Sequence, residues 1–232
     1  MKPARPIVFI ATVKSTKDPM GLGRVQVELK DLDKPVEMPW LRMIHSHASK
    51  EFGTILLPEV GDMVAILRGH GERIQSMYIL GSVYDKKNKP ALKDSDGKNN
   101  VKQFQTRSKH IIEISDEKGK EKITLKSGKG AEMTFDDKDS KINLKVEGLM
   151  VEMDGKKKAI TIKSDDKIVI DAKTVSIAGS MGIEVEGKEV SIKSDMDTKI
   201  KGGMKVAIEG GVGVDIKGGA KVSVKGAITA IG

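Results

Sequence analysis

The sequence predicts an all-β protein in two unlike parts, a small N-terminal barrel followed by a rod of short repeated strands. Three observations carry that prediction. The 232 residues are 38% apolar but only 3% aromatic, with 32% charged. Short strand-like runs bounded by Gly, Pro and Asp fill the N-terminal third, and the last hundred residues repeat with a period near eight. So low an aromatic content means either a disordered chain or an apolar surface made of short aliphatic residues in a regular array. The periodicity of Val and Ile selects the array.

Six strand candidates lie within residues 1–85: Ile7–Val13, Gly23–Leu29, Trp40–Ile44, Gly53–Leu57, Met63–Leu67 and Met77–Val83. Turn segments separate them, among them Lys17-Asp18-Pro19-Met20-Gly21, Pro58-Glu59-Val60-Gly61-Asp62 and Gly69-His70-Gly71-Glu72. Five or six short strands in so short a stretch predict an OB-type Greek-key barrel, with Phe9 and Trp40 in its core. Residues 86–130 are polar and turn-rich at first and read as an extended connector. Strand alternation returns at His110–Ile114 and Lys122–Lys126, joined by Asp116-Glu117-Lys118-Gly119.

Residues 131–232 carry the repeat. From residue 193 the chain reads KSDMDTKI, KGGMKVAI, EGGVGVDI, KGGAKVSV, KGAITAIG. Apolar pairs fall at Val206 and Ile208, Val214 and Ile216, Val222 and Val224, with glycine pairs at 202–203, 210–211 and 218–219 in the same register. Upstream the apolar pairs continue at Val190 and Ile192, 183 and 185, 175 and 177, 168 and 170, and 160 and 162, with spacing drifting between seven and eight. An internal repeat of this kind outranks any local motif.

Within each octad the apolar residues lie two apart, the strand period, and so share one side; Ala207, Asp215 and Ser223 between them face out. The glycine pairs are expected to make the corners, at φ values closed to other residues. One short strand and one corner offer no second layer. Yet fully burying each Val or Ile is worth about 1.5–3 kcal/mol. A single-chain solenoid coil needs more residues than eight to go round a core, and eight turn about one third of a circuit. Three chains wound on one axis close the circuit and pair every strand edge. The expectation is a trimeric intertwined β-helix over 131–232. Its core would hold Val190, Ile192, Val206, Ile208, Val214, Ile216, Val222 and Val224, with Lys205, Lys217 and Lys221 in solvent.

The N-terminal region resembles the OB domain of the phage baseplate assembly protein V and VgrG spike proteins of contractile injection systems. The likeness is carried by Lys17-Asp18-Pro19-Met20-Gly21-Leu22-Gly23-Arg24-Val25-Gln26-Val27, Pro39-Trp40-Leu41-Arg42, Leu57-Pro58-Glu59-Val60-Gly61-Asp62-Met63-Val64 and Tyr78–Tyr84 with Asn88-Lys89-Pro90. It continues through Thr106-Arg107-Ser108-Lys109-His110 and on to Ile123. The resemblance implies a homotrimeric central spike of a baseplate, driven through a target cell envelope when a sheath contracts. Three departures refine it. No hub domain is fused in front, which implies a separate hub protein at the OB-domain end. There is no lysozyme insert, and no C-terminal His-x-His for an apical metal ion. The chain ends on Ile228, Ala230, Ile231 and Gly232, an apolar terminus where the resemblance implies docking of a PAAR-like tip protein. The alternative is that Ile228 and Ile231 turn inward and close the end themselves.

Other function classes find less support. Net charge is +8, but lysines alternate with acidic residues instead of clustering, which argues for a solvated surface over nucleic-acid binding. An OB-fold oligonucleotide-binding protein would need stacking aromatics, and residues 1–85 offer only Phe9, Trp40, Phe52, Tyr78 and Tyr84. A trimeric fibre or adhesin would carry a secretion signal or anchor, and none is read here. Cysteine is absent, which excludes disulfides and a thiol nucleophile. His45-Ser46-His47 is read as a loop, and Gly128-Lys129-Gly130 as a turn; neither has Walker spacing or metal-site company. Asp136, Asp137, Asp139, Asp165 and Asp166 sit among lysines with no partnered base. The expectation is a structural protein with no enzymatic activity, cofactor or metal, made in a cytoplasm without a signal peptide and built into a phage tail or tail-like particle.

Overall fold

The computed structural model describes residues 7–29, 34–69, 76–92 and 96–228. Among these residues there is no α-helix, and the chain forms two compact units, Met1–Val169 and Ile170–Gly232. The first unit holds all thirteen strands found among the described residues.

Six strands build the N-terminal barrel: β1 (Ile7–Ser15), β2 (Gln26–Leu29), β3 (Val36–Glu37), β4 (Arg42–Met43), β5 (Met63–Arg68) and β6 (Met77–Val83), in the order β3-β2-β1-β5-β6-β4. β4 runs parallel to β6, and the other pairs are antiparallel. Two hydrogen bonds then close the sheet on itself, because Val25 and Leu41 exchange N–H and C=O at 2.9 Å in both directions. Closure removes the free edges between β2 and β4. Alternation turns Ala11 and Val13, Val25 and Val27, and Val64 and Ile66 to the inside, where they meet Met38, Leu41 and Ile79.

No aromatic residue lies in that buried cluster. Phe9 packs against it from the rim, but Trp40 stays half-buried outside it, so Leu41 and not Trp40 fills the core position. The run Gly53–Leu57 forms no strand; it contributes a single bridge, Gly53 to Ala48, in the loop before β5. Pro58 at its end supplies no N–H and leaves this segment outside the ladder.

A second sheet runs in unbroken meander order through β7 (Val101–Gln105), β8 (Ile111–Ser115), β9 (Lys122–Lys126), β10 (Glu132–Asp136), β11 (Lys141–Val146), β12 (Leu149–Asp154) and β13 (Ala159–Ser164). It crosses residue 130, where the change in composition had drawn the start of the repeat. Residues 131–164 are therefore hairpin strands paired within the chain. Tight turns join them, and Gly119, Gly130 and Gly148 sit at positive φ where a turn needs it.

Beyond Asp165 no described residue makes a backbone–backbone hydrogen bond. The backbone instead runs in extended segments broken by bends at 165–166, 173, 180–181, 188, 195–196, 203–204, 211–212, 219–220 and 227–228. The corners fall where the octads put them, but the glycines act differently from expectation. None of the glycines from 179 to 219 has a left-handed φ. At Gly202, Gly210 and Gly218 a Cβ would instead collide with the carbonyl oxygen three residues on, of Lys205, Gly213 and Lys221. Their partners Gly203, Gly211 and Gly219 face open space. The first glycine of each pair makes room for the folded-back corner, and the second does not.

Candidate assembly surface

The pairing register of the second sheet sorts most of its side chains by face, with Val101, Ile111 and Met150 the large apolar residues on the polar side. One row runs Phe104, Ile112, Leu125, Met133, Leu144, Val151, Ile162 across the seven strands. The row beside it runs Lys102, Ile114, Ile123, Phe135, Ile142, Met153, Ile160. Apart from Lys102 at the edge, both rows are apolar throughout. They lie open: Leu144 is 50% exposed and Ile160 70%.

The opposite face is polar. Gln103, Glu113, Thr124, Thr134, Asn143, Glu152 and Thr161 form its central row. Ion pairs flank the row, with Lys141 Nζ 3.2 Å from Glu152 and 3.1 Å from Asp154, and Lys126 3.4 Å from Glu132. The Asp154 carboxylate is buried, and the backbone N–H of Lys157, helped by Lys141, holds its pKa below the ordinary carboxylate range against the penalty of burial. Both carboxylates in turn raise the pKa of Lys141. A sheet with its charges satisfied on one side and its apolar side uncovered is a half-built sandwich.

At the barrel end, Phe104 lines a cleft of about 1100 Å³ together with Leu56, Leu57, Tyr84 and Arg107. The cleft is of mixed character, since Glu59, Asp62, Lys87 and Gln103 also line it, and in the loop before β5 Phe52, Ile55 and Val60 are exposed. Arg107 bridges to Glu59 at 3.2 Å across this junction.

In the second unit, Val190, Ile192, Val206, Ile208, Val214, Ile216, Val222 and Val224 are all exposed in the single chain. Within each pair the first member is the better covered, Val206 at 49% against Ile208 at 65%, because Val206 folds back over its corner towards Gly202. A further apolar position precedes the late pairs, Met204, Val212 and Ala220, and Met196 and Ile228 hold the same place in their octads. It has the same parity as the pair that follows, a signal that was present in the octads and that the period of two alone would have found. Met204 and Val212 have no cover at all. Ile228, expected at the tip, is likewise exposed; Ala230, Ile231 and Gly232 lie outside the described residues.

The remaining built feature is the loop from β1 to β2. Its centre is Asp18, whose side chain is almost wholly buried although it is charged. The carboxylate accepts hydrogen bonds from the backbone N–H of Met20, Leu22 and Arg24 at 3.1, 2.9 and 3.2 Å, and from the Arg24 guanidinium at 2.6 Å. Arg24, with those amides, holds the Asp18 pKa far below the usual carboxylate range. Gly21 and Gly23, both at positive φ, let the chain wrap round the carboxylate. The run Asp18-Pro19-Met20-Gly21-Leu22-Gly23-Arg24 is therefore a self-contained loop template whose charged groups are consumed in holding it.

Residues 9–84 match the family model of the Type VI secretion system/phage-baseplate injector OB domain. This barrel is an injector OB domain. The matched span runs from β1 through β6 and takes in the Asp18 loop and the closing bridge at Leu41. No protein of curated function matches the chain. The likeness to a baseplate injector component is carried by residues 9–84 of the 232.

Around the injector OB domain the other candidate residues take ordinary places. His47 stacks edge-on against Phe52 at 5.4 Å in the loop before β5. Gly128-Lys129-Gly130 is the β9–β10 turn, in which a Cβ on Gly128 would strike the Ser108 carbonyl. Of Gly69-His70-Gly71-Glu72, residues 70–72 lie outside the described residues. Asp139 pairs with Lys156 at 2.9 Å, which lowers its pKa, and Asp136 with Lys122 at 3.6 Å. Among the described residues no three His, Cys, Asp or Glu side chains converge as metal ligands, and no helix is long and apolar enough to cross a membrane.

Proposed function

We propose that this protein is the homotrimeric central spike of a contractile tail or injection system, and that it pierces a target envelope by stiffness and not by chemistry. The observation that carries the reading is the unpartnered apolar surface directly downstream of the injector OB domain. Thirteen apolar side chains share one open sheet face, and the octads behind them have no strand partner in their own chain. Covering the exposed half of each sheet residue is worth roughly 1 kcal/mol, so on the order of 10 kcal/mol per chain. That is enough to offset the freedom lost on association. Octads that turn about a third of a circuit call for three copies, and a closed threefold assembly leaves no strand edge open.

In this arrangement the OB domains meet a separate hub protein, and the C-terminal tip carries a PAAR-like cap protein on residues 226–232. Sheath contraction pushes the spike into the envelope, which it contacts only transiently. The injector OB domain and the ion pairs that hold Glu132, Asp136, Asp139, Glu152 and Asp154 support a mechanical role without catalysis. The measurement is sedimentation equilibrium together with a peptidoglycan-release assay on the same preparation. A mass of three times 25.1 kDa and no release are expected. A compact monomer overturns the spike, and hydrolysis by the purified trimer overturns the purely mechanical mechanism.

A further inference from the structure

The corners of the octad region come in two kinds, and their lengths follow the spacing of the apolar pairs. The pairs at 175/177 and 190/192 follow their predecessors by seven residues, and each is preceded by a one-residue bend, at 173 and 188. The pairs at 168/170, 183/185, 206/208, 214/216 and 222/224 each follow the preceding strand by eight, and each is preceded by a two-residue bend. The residue at the end of the bend tracks the same division. It is lysine at both short corners, Lys173 and Lys188. At every long corner from residue 180 onward it is apolar: Met181, Met196, Met204, Val212, Ala220 and Ile228.

We infer that each long corner delivers a third interior residue, so that two further copies of this chain close over Met204, Val206 and Ile208 together, while short corners turn a lysine to solvent; the inference rests on the trimer proposed above. In an extended segment residues two apart share a side, which puts Met204 in line with Val206 and Ile208. Lys173 and Lys188 stand at the same offset from their pairs, and it is the tighter one-residue bend at each that turns them out. The inner side is the one towards which Val206 folds over Gly202. Lysine on that side would be buried without a partner, whereas methionine, valine and alanine fit it. The occupant is a second copy because the extended backbone beside these residues has unpaired N–H and C=O groups at strand spacing, which only another extended chain of the same repeat satisfies along its whole length. Met204 and Val212 standing fully uncovered in the single chain marks the surface that closes. The distal needle, where all corners are long, is then interlocked through three residues per turn and the proximal part through two or three in alternation.

The chain has no cysteine, so single-cysteine variants report one position each. Met204→Cys, Val212→Cys, Lys173→Cys and Lys188→Cys would be made in the full chain and checked for mass by sedimentation. Each would then be labelled with a small maleimide before and after denaturation. In the native trimer the positions at 204 and 212 should react at least ten-fold more slowly than those at 173 and 188, and all four should react alike once denatured. Ala220→Cys reads the same register with the smallest change if Met204→Cys fails to assemble. A trimer in which 204, 212 and 220 label as fast as 188 overturns the third interior position alone, because it places the corner residues on the outer edges. A monomeric parent protein overturns the trimer and this inference with it.

Discussion

The injector OB domain and the octad region use the same short aliphatic residues to opposite ends. In the barrel, Val25, Val27, Val64 and Ile66 are fully buried by strands of their own chain, and the sheet closes through Val25 and Leu41. In the octads Val206 and Val214, residues of the same chemistry, are half exposed, and no described backbone group beyond Asp165 has a backbone partner. The seven-stranded sheet stands between these cases, with its inner strands paired on both sides, β7 and β13 left as open edges, and one face bare. The contrast teaches that hydrogen-bond closure and apolar burial are separate requirements. The barrel meets both alone, the sheet meets the first only between its two open edges, and the octads meet neither without other copies.

The hardest test of this contrast is a charge on the sheet face. Leu144→Lys should abolish assembly, since three buried cations would meet with no counter-ion, yet leave the barrel folded. Leu41→Ala is its mirror image. It should lower barrel stability by about 2–5 kcal/mol through lost transfer energy and a cavity, with the oligomeric mass unchanged. Sedimentation velocity and chemical denaturation of both variants check the pair, and the comparison breaks if either mutation affects the other region's property.

The corners give a finer test. Gly210→Ala puts a methyl group against the Gly213 carbonyl and should destabilise the assembled needle by about 1–3 kcal/mol per chain. Gly211→Ala meets open space and should be near neutral. Thermal melts of the two assemblies should separate clearly. Equal melting temperatures would mean that the glycine pairs mark flexible hinges and not packed corners.

The smallest expected effect concerns pH and is confined to the barrel. Asp18 has its folded pKa lowered, so its contribution to stability is fully present above its unfolded value of about 3.9 and is lost as pH falls below it. Asp18→Asn should lower the melting temperature at pH 7 and flatten its decline below pH 4. The same profile in parent and variant would show that the loop is held by its amides irrespective of charge.

Much of this architecture was legible in the residues. β1, β5 and β6 lie on strand-like runs bounded by turn residues, and β9 occupies the alternating run Lys122–Lys126. The octad period located the corners. Trp40 misled because an aromatic residue beside a strand reads as core, whereas barrel curvature places Leu41 inside and leaves Trp40 at the surface. The strands β10 to β13 were hard to separate from the octads, because a hairpin strand and an octad strand share the period of two, and only the cross-strand partner distinguishes them.

The sequence by itself determined the all-β class, the two regions and the eight-residue beat, because strand alternation and turn chemistry are local properties written in neighbouring residues. Only the tertiary structure decided what depends on distant residues meeting. That includes closure of the barrel at Leu41, burial of Asp18 under Arg24 and the sorting of the sheet into one apolar and one polar face. It also revealed the steric duty of Gly202, Gly210 and Gly218, since that duty depends on a carbonyl brought close by the fold and not on the glycine's own φ.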